Sequence, residues 1–174
     1  QEYPGGDIHF AALDLGSLSS VRAFVEKFKA EETSLDILCN NAGLMMCPYA
    51  KTTDGFEMQF GTNHLGHFAL TGLLLDNIRS TPGARVVTVS SSYHKSGRID
   101  FANLNAEQSY GRDTAYQQSK LANLLFAFEL QRRFHYNGIE AISVAAHPGY
   151  AATNLQRYNL LVRFTNLFFA QSAA

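Results

Sequence analysis

The sequence predicts an α/β fold built on a doubly wound parallel sheet that is incomplete in this chain. Four short apolar runs alternate along the sequence with segments of helical periodicity. The 174 residues, 46% of them hydrophobic, suffice for a single domain, residues 1–174, with a sizeable core. Right-handed crossovers between parallel strands are expected to place helices on both faces of one sheet.

The first two apolar runs are residues 8–15 (IHFAALDL) and 35–39 (LDILC), and we expect each to form a strand. Between them, the serines after Gly16 can cap a helix. The apolar residues of this helix fall at i, i+3, i+4 and i+7, which predicts one buried face. They are Val21, Phe24, Val25 and Phe28.

The pattern continues through the rest of the chain. Residues 54–79 have helical periodicity despite Gly61, Gly66 and Gly72, and residues 84–89 (ARVVTV) form a β-branched run that predicts a third strand. After a loop rich in Gly, Asp and Asn, residues 115–134 predict a long helix. Residues 140–146 (EAISVAA) predict the fourth strand.

Charge and cysteine content limit the classes of partner and location. Fourteen Lys plus Arg against fifteen Asp plus Glu give a net charge of −1, which argues against nucleic acid and anionic membranes as partners. Two cysteines, Cys39 and Cys47, are too few for a disulfide scaffold, so we expect an intracellular and most simply cytoplasmic location. No apolar run approaches the roughly eighteen residues of a membrane span. A membrane anchor outside this sequence stays open.

Polar and small residues follow every predicted strand, where a doubly wound sheet binds its ligand. Small side chains, turn formers, hydroxyls and amides are the groups that a closely bound nucleotide requires of loops. Taken singly, each could be only a turn or a loop. The residues are Asp14, Leu15, Asn40, Asn41, Ala42, Gly43, Ser90, Ser91, Ser92, Pro148, Gly149 and, further on, Thr153.

Tyr116 and Lys120 lie four residues apart at the start of the long predicted helix, so their side chains share one face. The spacing alone is weak, since chance supplies such a pair in roughly one chain of this composition in four or five. Its chemistry is clear, however. Lowering a phenol pKa by about three units requires about 4 kcal/mol, which one ammonium at about 4 Å supplies at an effective dielectric near 20.

Five segments in this order, LCNNAG, TNHLGHF, VVTVSSS, AYQQSK and HPGYAAT, resemble the short-chain dehydrogenase/reductase family. Residues 40–134 resemble its retinol-dehydrogenase-like branch, and the resemblance covers essentially the entire chain. It implies a Rossmann-like fold and an NAD(P)-dependent oxidoreductase that interconverts a small-molecule alcohol and a carbonyl. Lipophilic aldehydes, ketones and retinoids are the substrate class that it suggests.

The resemblance also implies four catalytic residues. Tyr116 would exchange a proton with the carbonyl or alcohol oxygen, Ser91 would hydrogen-bond that oxygen, and Lys120 would lower the tyrosine pKa while binding the nicotinamide ribose. Asn63 would bind a water in the proton relay. The choice of Ser91 over its neighbours rests on the resemblance, because consecutive strand residues point in opposite directions.

A dinucleotide site follows from the same resemblance, for NADP or NAD, with NADP slightly favoured. Asp14 would accept from the adenine amino group, the Asn-Ala-Gly turn would lie along the adenosine ribose, and the Pro-Gly loop would border the nicotinamide. No metal is expected, because His64 and His67 lack a third ligand with suitable spacing. The implied cofactor-binding residues are Asp14, Leu15, Asn41, Ala42, Gly43, Tyr116, Lys120, Pro148, Gly149 and Thr153.

The family's first two strands and its Gly-rich phosphate turn have no counterpart in this sequence. In the sheet order 3-2-1-4-5-6, residues 8–15 would be strand three, separated by two empty places from residues 35–39. We therefore expect an internal piece, without the last strand, of a chain of roughly 270 to 320 residues. A non-catalytic, dinucleotide-binding regulatory protein, or a fragment that is inactive alone, stays open as the alternative.

The helix segment 121–130 (LANLLFAFEL) is apolar around most of its circumference, so one face needs cover besides the sheet. A second subunit would supply this cover, as in the helix-pair interface that is usual in the family. We therefore expect a homodimer or homotetramer.

Overall fold

A computed structural model describes residues 6–149, together with the backbone of residues 151–152 and 171–172. Its main sheet has three parallel strands in the order β1-β2-β3. They are β1 (Ile37–Asn40), β2 (Arg85–Val89) and β3 (Ile142–Ala146). Three of the four predicted strands are thus confirmed, each within two residues of its expected start. A separate parallel pair joins β4 (Ala151–Ala152) and β5 (Gln171–Ser172).

The first predicted strand, residues 8–15, is wrong. Residues 6–14 have neither helical nor strand structure, and the Phe10 side chain is 94% exposed. A strand exists only where neighbouring strands pair with its backbone groups, and the described part of the chain places none beside this segment. Only its last residue, Leu15, is buried, against the helices that follow.

The first helix, α1 (Leu18–Glu31), begins where the sequence predicts. The Ser17 hydroxyl accepts a hydrogen bond from the Ser20 N–H at 3.3 Å and caps the helix. Val21 and Val25 are buried, which confirms the predicted apolar face. Along the described residues, no helix has the length and apolar character needed to cross a membrane.

The predicted helical region 54–79 is divided into several pieces, which run from residue 58 to residue 80. The long helix, α5 (Arg112–Tyr136), extends a few residues beyond both of its predicted ends. The helical elements after β1 are α2 (Met58–Phe60), a π-helical turn (Gly61–Leu65), α3 (Gly66–Leu73), α4 (Leu75–Ser80), a 3-10 turn (Ser92–Ser96) and α5 (Arg112–Tyr136).

The helices cover one face of the sheet. Val86 is fully buried in a core that α1, α3, α4 and the end of α5 complete, and Leu38 of the neighbouring strand packs against it. Alternate residues point to the other face, where Ile37 is 61% exposed and Val144 is also exposed. The expectation of helices on both faces is therefore not met by the described residues, because none of their helices covers this second face.

Two glycines allow close approaches that bring the strand ends and helices together. A Cβ at Gly66, the first residue of α3, would lie 2.4 Å from the carbonyl oxygen of Leu15. A Cβ at Gly97 would lie 2.6 Å from the carbonyl oxygen of Gln117 in α5. Any larger residue would force these segments apart, so glycine at both positions determines the geometry at the carboxyl edge of the sheet.

Candidate active site

The carboxyl ends of the three strands coincide at one edge of the sheet, since Asn40 pairs with Thr88, and Val89 pairs with Ala146. The predicted site residues that follow these strands are thereby brought to the same edge. Asn41, Ala42 and Gly43 follow β1, Ser91 follows β2, and Pro148 and Gly149 follow β3. Thr153 lies outside the described residues.

Tyr116, in the second turn of α5, is almost completely buried at this edge, with 3% of its surface exposed. It packs with Met45 and Met46 from the loop after β1, and the Tyr93 ring meets it edge-on at 5.6 Å between centroids. Burial raises the pKa of Tyr116 above its ordinary value, and a side-chain hydrogen bond with Ser91 acts in the opposite direction. The tyrosine and serine of the predicted set therefore meet.

Lys120 lies one helical turn further along α5 and is also buried. Its Nζ donates to the carbonyl oxygen of Val89 at 3.1 Å and lies 5.7 Å from the centroid of the Tyr116 ring. Burial lowers the pKa of Lys120 to about 8. The expected lowering of the tyrosine pKa is not seen in this arrangement, because the desolvation of Tyr116 outweighs the influences that oppose it.

Asn63, in the π-helical turn, connects the loop after β1 with α5. Its Oδ1 accepts from the Leu44 N–H at 2.7 Å, and its Nδ2 donates to the Leu44 carbonyl at 2.9 Å and to Ser119 Oγ at 3.0 Å. The side chain is fully buried. The amide thus bonds to protein groups on both sides, and its role in binding a water stays a prediction.

The surface beyond the strand ends fits a bound dinucleotide. A Cβ at Gly43 would lie 3.0 Å from Asn63 Oδ1 and 3.7 Å from Lys120 Nζ, so glycine leaves open the space in front of both side chains. Asn41 is exposed beside it. Asp14, also exposed, accepts from the Gly16 N–H at 2.8 Å through Oδ1. Its Oδ2 has no hydrogen-bond partner among the described residues and could accept from an adenine amino group.

The two histidines of the TNHLGHF segment bond to neighbouring protein groups. His64 Nδ1 lies 3.1 Å from Asn123 Oδ1, and His67 Nδ1 lies 3.0 Å from the Asn63 carbonyl oxygen. Burial lowers the pKa of both rings. Nowhere in residues 6–149 do three His, Cys, Asp or Glu side chains assemble into a group that could bind a metal ion.

Sequence reasoning did not identify the apolar and amide groups that surround the tyrosine. Met45 and Met46 form one buried cluster with Tyr116, and Gln59 hydrogen-bonds to Met46. The methionine pair, one residue beyond the Asn-Asn-Ala-Gly turn, was a usable signal, because residues that follow a strand end lie at the site edge. Nothing local in the sequence marks Gln59.

Comparisons with known proteins agree with this geometry. A family model described as short chain dehydrogenase matches residues 1–160. Human retinol dehydrogenase 14 is 52% identical over 153 residues, which cover 88% of this chain and 45% of that protein. Mouse retinol dehydrogenase 11 is 50% identical over 158 residues, 90% of this chain and 49% of that protein. The chain thus spans about half the length of the curated relatives it matches.

Solved structures share the fold. An uncharacterized protein from Mycobacterium paratuberculosis is 54% identical and superposes with a TM-score of 0.73, over 83% of this chain and 52% of that protein. An NADPH-bound carbonyl reductase from chicken fatty liver, 22% identical, has a TM-score of 0.59 over 82% of this chain and 58% of that protein. These similarities confirm the predicted fold class, an incomplete doubly wound sheet of the Rossmann type.

Proposed function

Because the chain belongs to the short chain dehydrogenase family, we propose that it carries the catalytic centre of an oxidoreductase that interconverts an alcohol and a carbonyl with a nicotinamide cofactor. The observation that carries the proposal is the buried Tyr116 side chain, whose pKa Ser91 influences and which lies one helical turn from the buried Lys120. A protein that only binds a dinucleotide has no need of an acid/base pair. The activity is proposed for the complete gene product, since the chain spans only part of its relatives.

Each of the four residues has a role in this reaction. Tyr116 Oη gives a proton to the carbonyl oxygen, or takes one from the alcohol, while Ser91 Oγ hydrogen-bonds that oxygen. Lys120 Nζ binds the cofactor ribose and favours the ionised phenol, and Asn63 supports the proton relay. When bound, the nicotinamide supplies or accepts the hydride at the substrate carbon.

The site also excludes water from the proton transfer. Met45, Met46 and Tyr93 pack around Tyr116, so the phenol is shielded on the side that faces the protein. An apolar surrounding of this kind strengthens the polar interactions of the Tyr116 hydroxyl relative to the same interactions in water.

The proposed cofactor is NADP in preference to NAD, a preference that follows the family resemblance. In the family, a strand that distinguishes NADP from NAD precedes the segment that matches residues 8–15. The described residues therefore do not include the strand that selects between the two cofactors. Comparing the dissociation constants of NADPH and NADH for the complete gene product decides between them.

The proposed substrates are lipophilic alcohols and aldehydes of the retinoid kind. The relatives at about half identity are named retinol dehydrogenases, and the side chains of Met45, Met46 and Tyr93 offer an apolar surrounding at the tyrosine. Turnover of a retinoid aldehyde, compared with that of a short polar aldehyde, tests this choice.

The proposed assembly is a homodimer or homotetramer. Leu125 and Phe128, three residues apart on one face of α5, are both exposed. A second subunit that covers this surface would remove its apolar side chains from water.

The experiment that tests the activity is Tyr116→Phe in the complete gene product. We expect kcat to fall at least about a hundredfold, the usual scale for the loss of a general acid or base, with cofactor affinity nearly unchanged. Tyr136→Phe, at an exposed position near the end of the same helix, is the control and leaves kcat unchanged. Near wild-type turnover in Tyr116→Phe would refute the mechanism. Dinucleotide binding without any turnover in the wild type would favour the regulatory alternative.

A further inference from the structure

Gln59, in α2, is a fully buried amide that connects the loop after β1 with the start of α5. Its Oε1 accepts from the Met46 N–H at 2.7 Å, in the loop after β1. Its Nε2 donates to the Tyr110 hydroxyl at 2.9 Å and to the Arg112 carbonyl at 3.0 Å, at the start of α5. Three hydrogen bonds use both donors and one acceptor site of the amide, so its orientation is fixed.

The Met46 end of this connection is strained. Met46 has φ 52°, in the left-handed region that is unfavourable for a residue other than glycine. Its side chain is nevertheless buried in the cluster that includes Tyr116. Strain of this kind persists only where surrounding contacts enforce it, and the Gln59 bond to the Met46 N–H is such a contact.

The α5 end of the connection lies directly before Tyr116. Gly111 caps α5 without any side-chain hydrogen bond. In a regular α-helix the Arg112 carbonyl accepts the N–H of Tyr116, so Gln59 donates to the same oxygen that fixes the tyrosine backbone. The Tyr110 hydroxyl then donates to the Cys47 carbonyl at 2.7 Å, a second connection between the two segments.

We propose that Gln59 is a positioning residue for proton transfer, which sets the orientation of Tyr116 relative to Ser91 through Met46 and the first turn of α5. The inference rests on the proposed function of Tyr116. It assigns Gln59 no contact with substrate or cofactor.

The first test is Gln59→Leu in the complete gene product. We expect kcat to fall at least about tenfold, because small displacements of a reacting group are costly, while the dissociation constant of NADPH changes less than about twofold. Gln118→Leu is the matched control. Gln118 is a buried amide of α5 that accepts from the Asp100 N–H at 2.8 Å, away from Met46. We expect Gln118→Leu to lower the free energy of unfolding about as much as Gln59→Leu does, while kcat stays within about threefold of wild type. An equal loss of kcat in both variants would overturn the proposal.

Gln59→Glu tests the same proposal if the leucine variant fails to fold. A protonated Glu at this position can accept from the Met46 N–H and donate to the Arg112 carbonyl, whereas the carboxylate cannot donate. Glu57, Tyr110, Cys47 and Arg112 lie around the position. Burial beside the first three raises the pKa of the new carboxyl, and the Arg112 guanidinium acts in the opposite direction. The ratio of variant to wild-type kcat should therefore fall as pH rises. A flat ratio near one contradicts the proposal.

A readout independent of turnover separates this proposal from the proposed function. The chain has three methionines, and the methyl NMR signal of Met46 reports its packing against the Tyr116 ring. We expect this signal to shift in Gln59→Leu and to stay in Gln118→Leu. An unmoved signal refutes the positioning role, whereas absent turnover in the wild type refutes only the proposed function.

Discussion

At the scale of single residues, Lys120 makes the pH dependence of stability predictable. Burial lowers the pKa of its ammonium from the ordinary 10.5 to about 8. Between these values the unfolded chain binds one proton more than the folded chain, so stability rises with pH. The gain in the free energy of unfolding of the cofactor-free protein is about 3 kcal/mol across this window.

Lys120→Met isolates this effect. Below about pH 8 the variant should be more stable than the wild type, because it buries no ammonium, and its advantage should shrink as the pH approaches 10.5. Urea unfolding at several pH values measures both proteins. Lys27→Met, at an exposed position of α1, corrects for the other titrating groups. A constant advantage across the range would contradict the assigned pKa.

At the scale of secondary-structure elements, the close packing of α3 explains a glycine at a helical position. Gly66→Ala should lower the free energy of unfolding by about 1–3 kcal/mol, because the added Cβ would lie 2.4 Å from the Leu15 carbonyl oxygen. This loss would outweigh the higher helix propensity of alanine. Gly72→Ala, in the same helix, meets no atom within 4 Å and should instead stabilise by about 0.5–1 kcal/mol. Equal effects at both positions would refute the close-packing explanation.

At the scale of the whole molecule, the apolar surface of α5 predicts the assembly state. Phe128, 65% exposed, lies on this surface. If the wild type forms the proposed dimer or tetramer, Phe128→Glu should convert it to monomer or aggregate. Phe101→Glu, at an exposed phenylalanine in the loop before α5, should leave the mass unchanged. Light scattering after size-exclusion chromatography gives the masses. A wild-type monomer would remove the argument for an interface here.

The uncovered face of the sheet predicts how the 174-residue polypeptide behaves when expressed alone. Ile37, Ile142 and Val144 expose apolar surface on this face, so the isolated polypeptide should bind a hydrophobic dye and unfold without a cooperative transition. It should also show no measurable affinity for NADPH or NADH, because it lacks the phosphate turn of the family. A sharp melt that added cofactor shifts upward would contradict both expectations.

Local patterns in the sequence predicted most of the fold. The β-branched run at residues 84–89 and the apolar periodicity of residues 115–134 lead to β2 and α5, because strand and helix repeats bury one face by themselves. The same reasoning failed at residues 8–15. This run is apolar like the others, but no partner strand is present beside it among the described residues.

The sequence by itself determined the fold class, the family and the order of the candidate site residues, since these depend on periodicity and on motifs along the chain. Only the tertiary structure decided the environment of Tyr116. Its contact with Met46 and the bonds of Gln59 join residues far apart in sequence. The directions in which the pKa values of Tyr116 and Lys120 shift depend on burial. Desolvation and hydrogen bonding are set by which atoms surround a group in space, and no local pattern of residue types encodes that arrangement.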